Sequence, residues 1–468
     1  MTSTRGLREG LQVETDGCDP APRAGLPAAV GTSFLFLGVL YLCTTSRWGS
    51  YVAPPGVPVY VGDVFVAAGL VQTVLVVRAR SSARAVLDAL STAPLFLLLA
   101  LAFLAWTLLR AVIGAQQMAG EPLTALRDLA PYAYAVAALA AFVLPVADRR
   151  QAQRLVYAAL TLHVLWVEGA AYLPGWPQDW PLLGGAAVFT SRPDFDTAVV
   201  GVAVALALHQ VLYRRPQNRW VLVSLGLFLA LNGYALLSSP TRAGLLAGLL
   251  ASGVVVLSWL LRRTVTPRRL SGRLRGGVLV VLLALFIGVL ALTPPGHRLI
   301  ESVSGTQSNA SGTINARELA WRAVDSYVLA DAPRTAIGVG FGPDFLTDSG
   351  ATYLLEGDLY KDVRSPHNYL IGVFARLGLA GMLLGALLLA GAALAAVRAL
   401  AGPVGTPTAL AALLVLALPV TALLGVVLES PFGAIPYFWA VGQLARHTWS
   451  AGRRDVAEDQ ASLASNHR

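Results

Sequence analysis

Long apolar runs separated by short polar segments dominate the chain. Twelve of these runs approach or reach the length that a helix needs to cross ~30 Å of hydrocarbon. They lie at residues 26–44, 57–77, 93–113, 129–147, 154–172, 196–213, 219–238, 242–261, 277–293, 368–397, 408–428 and 432–447. The pattern predicts an all-α polytopic membrane protein with about twelve transmembrane helices.

The longest polar segment, residues 294–366, divides the chain into two sets of predicted helices. Residues 26–293 hold helices 1–9, and residues 367–447 hold helices 10–12. The tenth run is longer than a bilayer requires, so its first turns are expected at the interface or in a tilted helix. The twelfth is short and contains Pro436, which favours an interruption.

Arginine residues are unevenly distributed over the connections between the runs. Alternate connections are rich in arginine, and the intervening ones carry mostly one each. The rich set comprises Arg78, Arg80 and Arg84; Arg149, Arg150 and Arg154; Arg214, Arg215 and Arg219; and six arginines between Arg262 and Arg275. The positive-inside rule places this set, the N-terminal tail 1–25 and the C-terminal tail 448–468 in the cytoplasm. The 294–366 loop is then extracytoplasmic.

Composition agrees with the hydropathy pattern. The chain is 56% hydrophobic and 13% charged, with a mean hydropathy of +0.62, which excludes a soluble globule of this size. The net charge of +9 follows the arginine asymmetry and does not indicate nucleic-acid binding. Cys18 and Cys43 are too few and too separated for a disulfide framework or a metal site. No signal-peptide pattern precedes the first run, so we expect that helix to remain as an anchor.

The large loop contains two recognisable segments. Residues 302–313 are rich in Gly, Ser and Asn and are expected to be flexible, whereas residues 314–330 form a predicted amphipathic helix capped by Thr313. Helical spacing puts Arg317, Trp321, Val324 and Val328 on one face. The glycine-rich residues 338–343 lack the strand–turn–helix setting of a nucleotide site, so they are interpreted as tight backbone at the base of the loop.

Two arginines are candidates for binding an anion. Arg242 opens a predicted transmembrane helix beside small residues, where backbone N–H groups also favour an anion. A headgroup-directed, snorkelling side chain is the alternative. Arg317 shares a face with Trp321, although a solvated loop charge is the alternative. The arginine guanidinium suits a paired contact with phosphate oxygens.

His367 stands where the chain re-enters the membrane after the large loop. A histidine that titrates near neutral pH is suited to act as general base for a sugar hydroxyl. An interfacial histidine without a chemical role is the alternative. Ten residues separate His367 from Gly378, and we expect Gly378 and Gly381 to allow close packing of the helix that follows.

These elements together resemble the O-antigen ligase and O-antigen polymerase superfamily. The resemblance rests on the segments 239–244, 336–342 and 366–370, on Arg317 with Trp321, and on the spacing of His367 to the glycines 378–381. It spans about residues 219–400. Ala243 departs from the pattern, since many relatives have glycine there.

The resemblance implies a GT-C-like fold in the bacterial plasma membrane and an oligosaccharyl transfer reaction. Such enzymes take a glycan from a polyprenyl diphosphate carrier, without a nucleotide-sugar, a cofactor or a metal, and pass it to an acceptor. The outer loops contain no HExxH motif or larger acidic cluster that would hold a cation. Arg242 and Arg317 would bind the diphosphate, and His367 would accept or orient the acceptor proton, with inversion at the anomeric carbon.

Five further residues are candidates of lower rank. Arg322, Arg364 and Asn368 are expected to touch the glycan or phosphate. Arg110 and Asp63 lie inside predicted spans, where charged side chains usually face protein or water. They are interpreted either as polar groups lining a cavity or as partners of each other.

The sequence leaves open the identity of the acceptor and one rival function. A lipid core, a growing polysaccharide or a protein hydroxyl would use the same donor site. A transporter or flippase of lipid-linked saccharides also has about twelve helices. Transporters usually have polar sites and broken helices near the membrane midplane, whereas polar residues here gather at one face, apart from His163, Glu168 and His209.

Overall fold

A computed structural model of the protein describes residues 30–52, 59–79, 83–170, 182–183, 186–187, 192–214, 216, 218–239, 241–265, 308–355 and 364–466. The ninth predicted run, 277–293, and the N-terminal tail 1–25 lie outside these ranges.

The part before the large loop is built from helices. They are α1 (Phe34–Tyr51), α2 (Val61–Ala79), α3 (Ala83–Ser91), α4 (Leu95–Ile113), α5 (Ala115–Gly120), α6 (Pro122–Ala133), α7 (Val136–Val143), α8 (Arg150–Ala170), α9 (Pro193–His209), α10 (Arg219–Ser238) and α11 (Arg242–Val265). A π-helical turn, Gln210–Arg214, extends α9. Two short strands, Leu182–Leu183 and Ala186–Ala187, pair as a small antiparallel hairpin.

Helices also form the part from residue 308 onward. They are α12 (Ser308–Leu329), α13 (Ala332–Ile337), α14 (Phe345–Asp348), α15 (Ala351–Leu355), α16 (Tyr369–Leu400), α17 (Thr406–Ala422) and α18 (Pro431–Asn466). A 3₁₀ turn, Val427–Glu429, connects α17 with α18. Helices α12–α15 together are called the loop subdomain below.

The all-α prediction is confirmed, and seven stretches in the described ranges are long and apolar enough to cross a membrane. These stretches are Val61–Ala79, Leu95–Ile113, Pro122–Val143, Pro193–Arg214, Arg219–Ser238, Arg242–Arg262 and Tyr369–Leu400. The shorter apolar helix α17 coincides with the eleventh predicted run. The total of twelve spans stays a prediction.

Three predicted elements differ from the observed ones. The run 129–147 is divided between α6 and α7, and Pro131 lies in α6 close to the division. The last helix continues through Pro436 from Pro431 to Asn466, so the C-terminal tail is helical as far as residue 466. Helix α12 begins at Ser308, so residues 308–313 are helical and Thr313 is not its cap.

Small residues allow the central helices to approach closely. A Cβ at Gly201 of α9 would overlap the Gly248 backbone of α11, so both glycines are needed at this crossing. Helix α9 is buried along most of its length, as is the alanine- and leucine-rich α17. The two helices form the centre of the bundle. The N-terminus of α9 and the C-terminus of α17 lead to the candidate site.

The loop subdomain packs on the first turns of α16 through a separate apolar cluster. Ala320, Val324 and Val328 of α12 are fully buried there together with Phe345 of α14 and Ala375 of α16. The predicted apolar face of α12 is therefore confirmed. Its burial fixes the loop subdomain over the beginning of α16.

Candidate active site

The turn before α16 sets the position of His367. His367 adopts a φ of 58°, a left-handed conformation that is uncommon for residues other than glycine. Its backbone N–H donates to Ser365 Oγ at 3.2 Å. Asn368 then caps α16, because its Oδ1 accepts from the backbone N–H groups of Leu370 and Ile371 at 3.1 and 3.3 Å. His367 is 5% exposed, so it is buried and does not lie on an open surface.

Helix α12 holds this turn from the loop subdomain. Trp321 Nε1 donates to the Pro366 carbonyl at 2.6 Å, immediately before His367. One helical turn earlier, Arg317 Nη1 donates to the Leu424 carbonyl at 2.9 Å, just beyond α17. The predicted face of α12 thus joins two separate segments of the chain at the site.

A carboxylic acid that the sequence did not indicate lies next to the turn. Glu429, in the 3₁₀ turn between α17 and α18, accepts a hydrogen bond from Ser365 Oγ. A Cβ at Gly372 would overlap the Glu429 Oε1 atom, so a side chain there would displace this carboxyl group. Burial raises the pKa of Glu429 to about 8, against the opposing effect of the Arg376 guanidinium. Through its hydrogen bond with Ser365, Glu429 fixes the serine oxygen that accepts the His367 backbone N–H.

Helix α16 is broken at Gly378, whose φ is 67°. A side chain there would overlap the Ala336 carbonyl, so glycine permits both the break and the close contact. Carbonyl groups that precede a helix break need donors from elsewhere. Trp106 of α4 supplies one, since its Nε1 donates to the Leu377 carbonyl at 2.9 Å. The predicted role of Gly378 in close packing therefore holds, and the residue also breaks the helix.

The glycine-rich segment 338–342 supplies two more donors. Val339 N–H donates to the Ala375 carbonyl at 2.8 Å, and Gly340 N–H donates to the Arg376 carbonyl at 3.0 Å. The segment therefore runs alongside the first half of α16 as tight backbone, as interpreted from the sequence. These bonds attach the glycine-rich segment to the part of α16 that lies between His367 and Gly378.

A buried ion cluster secures the same region. Asp128 of α6 accepts from Arg364 Nη2 at 2.9 Å and from Arg376 Nη1 at 2.8 Å. The Asp128 carboxylate also accepts the Gly342 backbone N–H at 3.1 Å. One carboxylate therefore joins α6, the glycine-rich segment, the chain before His367 and the first half of α16.

The N-termini of α9 and α11 lie side by side, and each has an arginine. Thr241 Oγ1, next to Arg242, donates to the Pro193 carbonyl at 3.3 Å. Pro193 follows Arg192 and begins α9. Arg242 is half-buried and starts α11. The two arginines therefore flank one pair of helix ends, where backbone donors and two cations favour an anion.

The charges of Arg317 and Arg192 act on His367. Burial and then the charges of the Arg317 and Arg192 guanidinium groups, in that order of size, together lower the pKa of His367 to about 3. The imidazole is therefore neutral at physiological pH. The structure thus brings His367 together with Arg317, as predicted, and adds Arg192, which the sequence did not assign to the site.

Two predicted contact residues lie in other surroundings. Arg322 pairs with Glu318 on the exposed face of α12, where its side chain is 73% exposed. Arg110 donates from Nε and Nη2 to the carbonyls of Ile337 and Gly338 at 2.8 and 3.0 Å. Arg110 is therefore a buried support for the glycine-rich segment, and its role of lining a cavity stays a prediction.

The remaining predicted contacts are also engaged within the protein. Arg364 is in the ion cluster with Asp128, and Asn368 is the cap of α16. Asp63 accepts from the hydroxyl of Tyr134 and from a backbone N–H, and so does not pair with Arg110. These placements favour structural roles over direct contact with a substrate.

Candidate metal ligands are not grouped in the described ranges. No set of three or more His, Cys, Asp or Glu side chains there is arranged to hold a metal ion.

Sequence reasoning missed Asp128, Glu429 and Arg376 as parts of the site. Each is a charged residue within or beside an apolar run, and such charges usually face protein or water. That signal was available, but the partners of Asp128 are 214 and 236 positions away. No local spacing indicates contacts of that range.

Comparison with known families gives one match over this region. The family model described as O-antigen ligase matches residues 227–386, which include Arg242, Arg317 and His367. The match confirms the resemblance to the O-antigen ligase and polymerase superfamily. A comparison with curated proteins found no match.

Proposed function

From this match and from the grouping of Arg317 with a buried His367, we propose that the protein is a membrane glycosyltransferase. It transfers a glycan from a polyprenyl diphosphate carrier to an acceptor hydroxyl at the extracytoplasmic face. The observation that carries the proposal is the joint placement of a neutral imidazole and a guanidinium at the N-terminus of α16. Arg242 and its helix end supply a second cation nearby.

The transfer forms one bond and breaks another at the anomeric carbon. The acceptor oxygen attacks this carbon as the glycosidic C–O bond breaks, and the bonding electron pair leaves with the diphosphate oxygen. Arg242 and Arg317 stabilise the charge that develops on this oxygen. The acceptor proton passes to His367, or His367 orients the hydroxyl while the proton leaves to water. A single displacement inverts the configuration of the anomeric carbon.

The structural roles of the surrounding residues follow from their contacts. Trp321 holds the Pro366 carbonyl, and Ser365 holds the backbone N–H of His367. Asp128 and Arg364 anchor the chain that leads into it. We assign these residues to positioning His367 and not to contact with the glycan.

Donor binding is expected to change the basicity of His367. In the free protein, burial and two arginines lower its pKa to about 3. A bound diphosphate would offset the charges of these arginines and so raise the pKa of the imidazole. His367 therefore becomes a stronger proton acceptor when the donor is in place.

The pH dependence of transfer tests this coupling. The neutral imidazole is present above pH ~3 in the free protein and is lost only as pH falls through that value, so kcat/KM for the donor should show no loss from His367 between about pH 5 and pH 7. The acid limb of kcat should lie at higher pH than that of kcat/KM. Steady-state rates in proteoliposomes would measure both. A kcat/KM limb centred near the ordinary histidine value of about 6.5 would contradict the proposed environment.

Transfer with purified components tests the function itself. Proteoliposomes receive carrier-linked glycan and an acceptor, and the assay detects the new glycosidic bond and the released polyprenyl diphosphate. We expect both products, and we expect their formation to continue in EDTA because arginines take the place of a divalent cation. Activity that is lost in EDTA and restored by Mg²⁺ or Mn²⁺ would indicate a missed acidic site, with Asp344 and Asp348 as first candidates.

The same assay separates the transferase from a transporter. A transporter moves the carrier-linked glycan across the bilayer with its bond to diphosphate intact, so no polyprenyl diphosphate would be released. In cells, loss of the gene distinguishes the two acceptor classes. Shortened polysaccharide indicates a polymerase, and full-length polymer that is not attached to its acceptor indicates a ligase.

A further inference from the structure

Arg192 lies beside the proposed donor site but has no part in the two-arginine mechanism. Its backbone N–H donates to Asp196 Oδ2 at 2.8 Å, which fixes the residue at the start of α9. The following Pro193 carbonyl accepts from Thr241, the neighbour of Arg242. The chain thus places Arg192 and Arg242 at adjacent helix ends.

The guanidinium of Arg192 retains a buried donor. Its Nε atom is inaccessible to solvent and has no hydrogen-bond acceptor among the described residues. Two carboxylates occur in the first turn of α9, but neither accepts from Arg192 Nε. Asp196 accepts the backbone N–H of Arg192 through Oδ2, its Oδ1 has no hydrogen-bond partner among the described residues, and Asp194 lies beside Gly425. A buried donor without an acceptor is costly, and an anionic ligand would supply one.

The charge of the donor changes during the proposed reaction. The diphosphate diester of the donor carries about two negative charges, and the released diphosphate monoester carries about three near neutral pH. Arg242 and Arg317 match the charge of the donor. The third charge develops only as the glycosidic bond breaks, and a third fixed cation is best placed to stabilise it.

We propose that Arg192 binds the leaving diphosphate and stabilises the charge that it gains on bond cleavage. This inference rests on the proposed function and adds one residue to its binding site. Because its contact strengthens as the bond breaks, Arg192 should affect kcat more than donor KM. Arg192 should also increase the affinity for a product-like diphosphate monoester more than the affinity for a phosphate monoester.

Inhibition of the transfer assay by two short isoprenoids tests the proposal. Farnesyl diphosphate and farnesyl phosphate share their lipid and differ by one phosphate. In Arg192→Gln we expect the inhibition constant of farnesyl diphosphate to rise at least about tenfold, as expected for the loss of one charged hydrogen bond. That of farnesyl phosphate should change less than about threefold, because its single phosphate is held by the other arginines. Arg127→Gln is the matched control, since Arg127 is an exposed arginine of α6 and should leave both constants unchanged.

The outcomes distinguish this inference from the proposed function. If the wild type releases no polyprenyl diphosphate, the proposed function fails. If transfer depends on Arg242 and Arg317 but Arg192→Gln matches Arg127→Gln, only the inference fails. Equal weakening of both inhibitors would also overturn it. Should Arg192→Gln not accumulate, Arg192→Lys decides, since an ammonium keeps the charge but loses the paired contact and should selectively weaken farnesyl diphosphate.

Discussion

Replacing His367 is expected to lower the rate of glycan transfer by about 10²- to 10⁴-fold, the usual contribution of a general acid–base residue. The protein should still insert and accumulate, because backbone groups hold the turn around His367 and do not depend on the imidazole. The Pro366 carbonyl accepts from Trp321, and the His367 N–H donates to Ser365. Donor binding should persist, since the arginines remain, and carrier-linked glycan should therefore accumulate in cells.

The choice of substitution matters because of the backbone at this position. His367 has a φ of 58°, where alanine is strained and asparagine is tolerated. His367→Asn therefore removes the base with little strain, and His367→Ala serves as comparison. Both variants would be measured in the proteoliposome assay and by protein abundance in membranes. Wild-type transfer by His367→Asn would show that the imidazole is not the proton acceptor.

Replacing Asp128 with alanine is expected to destabilise the protein by about 3–5 kcal/mol, the cost of breaking a buried ion pair from one side. Arg364 and Arg376 would lose their shared carboxylate, and their side chains are only 20% and 5% exposed. Gly342 N–H would lose its acceptor as well. We expect a lower midpoint of thermal unfolding in detergent and loss of transfer, because the chain before His367 loses its anchor.

An exposed ion pair provides the control for this substitution. Glu318→Gln removes the partner of Arg322, and the two side chains are 50% and 73% exposed. Exposed pairs contribute at most about 1 kcal/mol, so this variant should keep its midpoint and activity. An Asp128→Ala midpoint equal to that of Glu318→Gln would contradict the role assigned to the buried cluster.

Hydropathy alone predicted the helical class and the bounds of most apolar helices, because burial in lipid imposes a length and a composition on each one. It did not predict the continuation of α18 through Pro436. A proline can be accommodated in a helix when neighbours satisfy the freed carbonyl, and such neighbours are known only from the tertiary structure. The break at Gly378 was missed for a related reason, since glycine is compatible with both close packing and a left-handed backbone.

The candidate site was predictable where one residue carries the chemistry and not where several residues share a contact. His367 was indicated by its residue type at a membrane boundary and Arg317 by the face that it shares with Trp321, and the structure places the two together. Arg364 was predicted to touch substrate because it is a cation three residues before His367. Its actual partner, Asp128, is 236 positions away, and no local pattern encodes that pairing. Glu429 was missed because a single acid between two apolar runs has no spacing to indicate its function.

The contacts around His367 also have a consequence for biogenesis. The carbonyl that receives Arg317 and the carboxylic acid that fixes the His367 turn both lie after α17. These groups leave the ribosome well after the histidine and the loop subdomain. A chain that has not yet inserted α17 and its following turn therefore lacks part of the framework that surrounds His367. The site around His367 is complete only when the chain beyond α17 has been made and has packed in place.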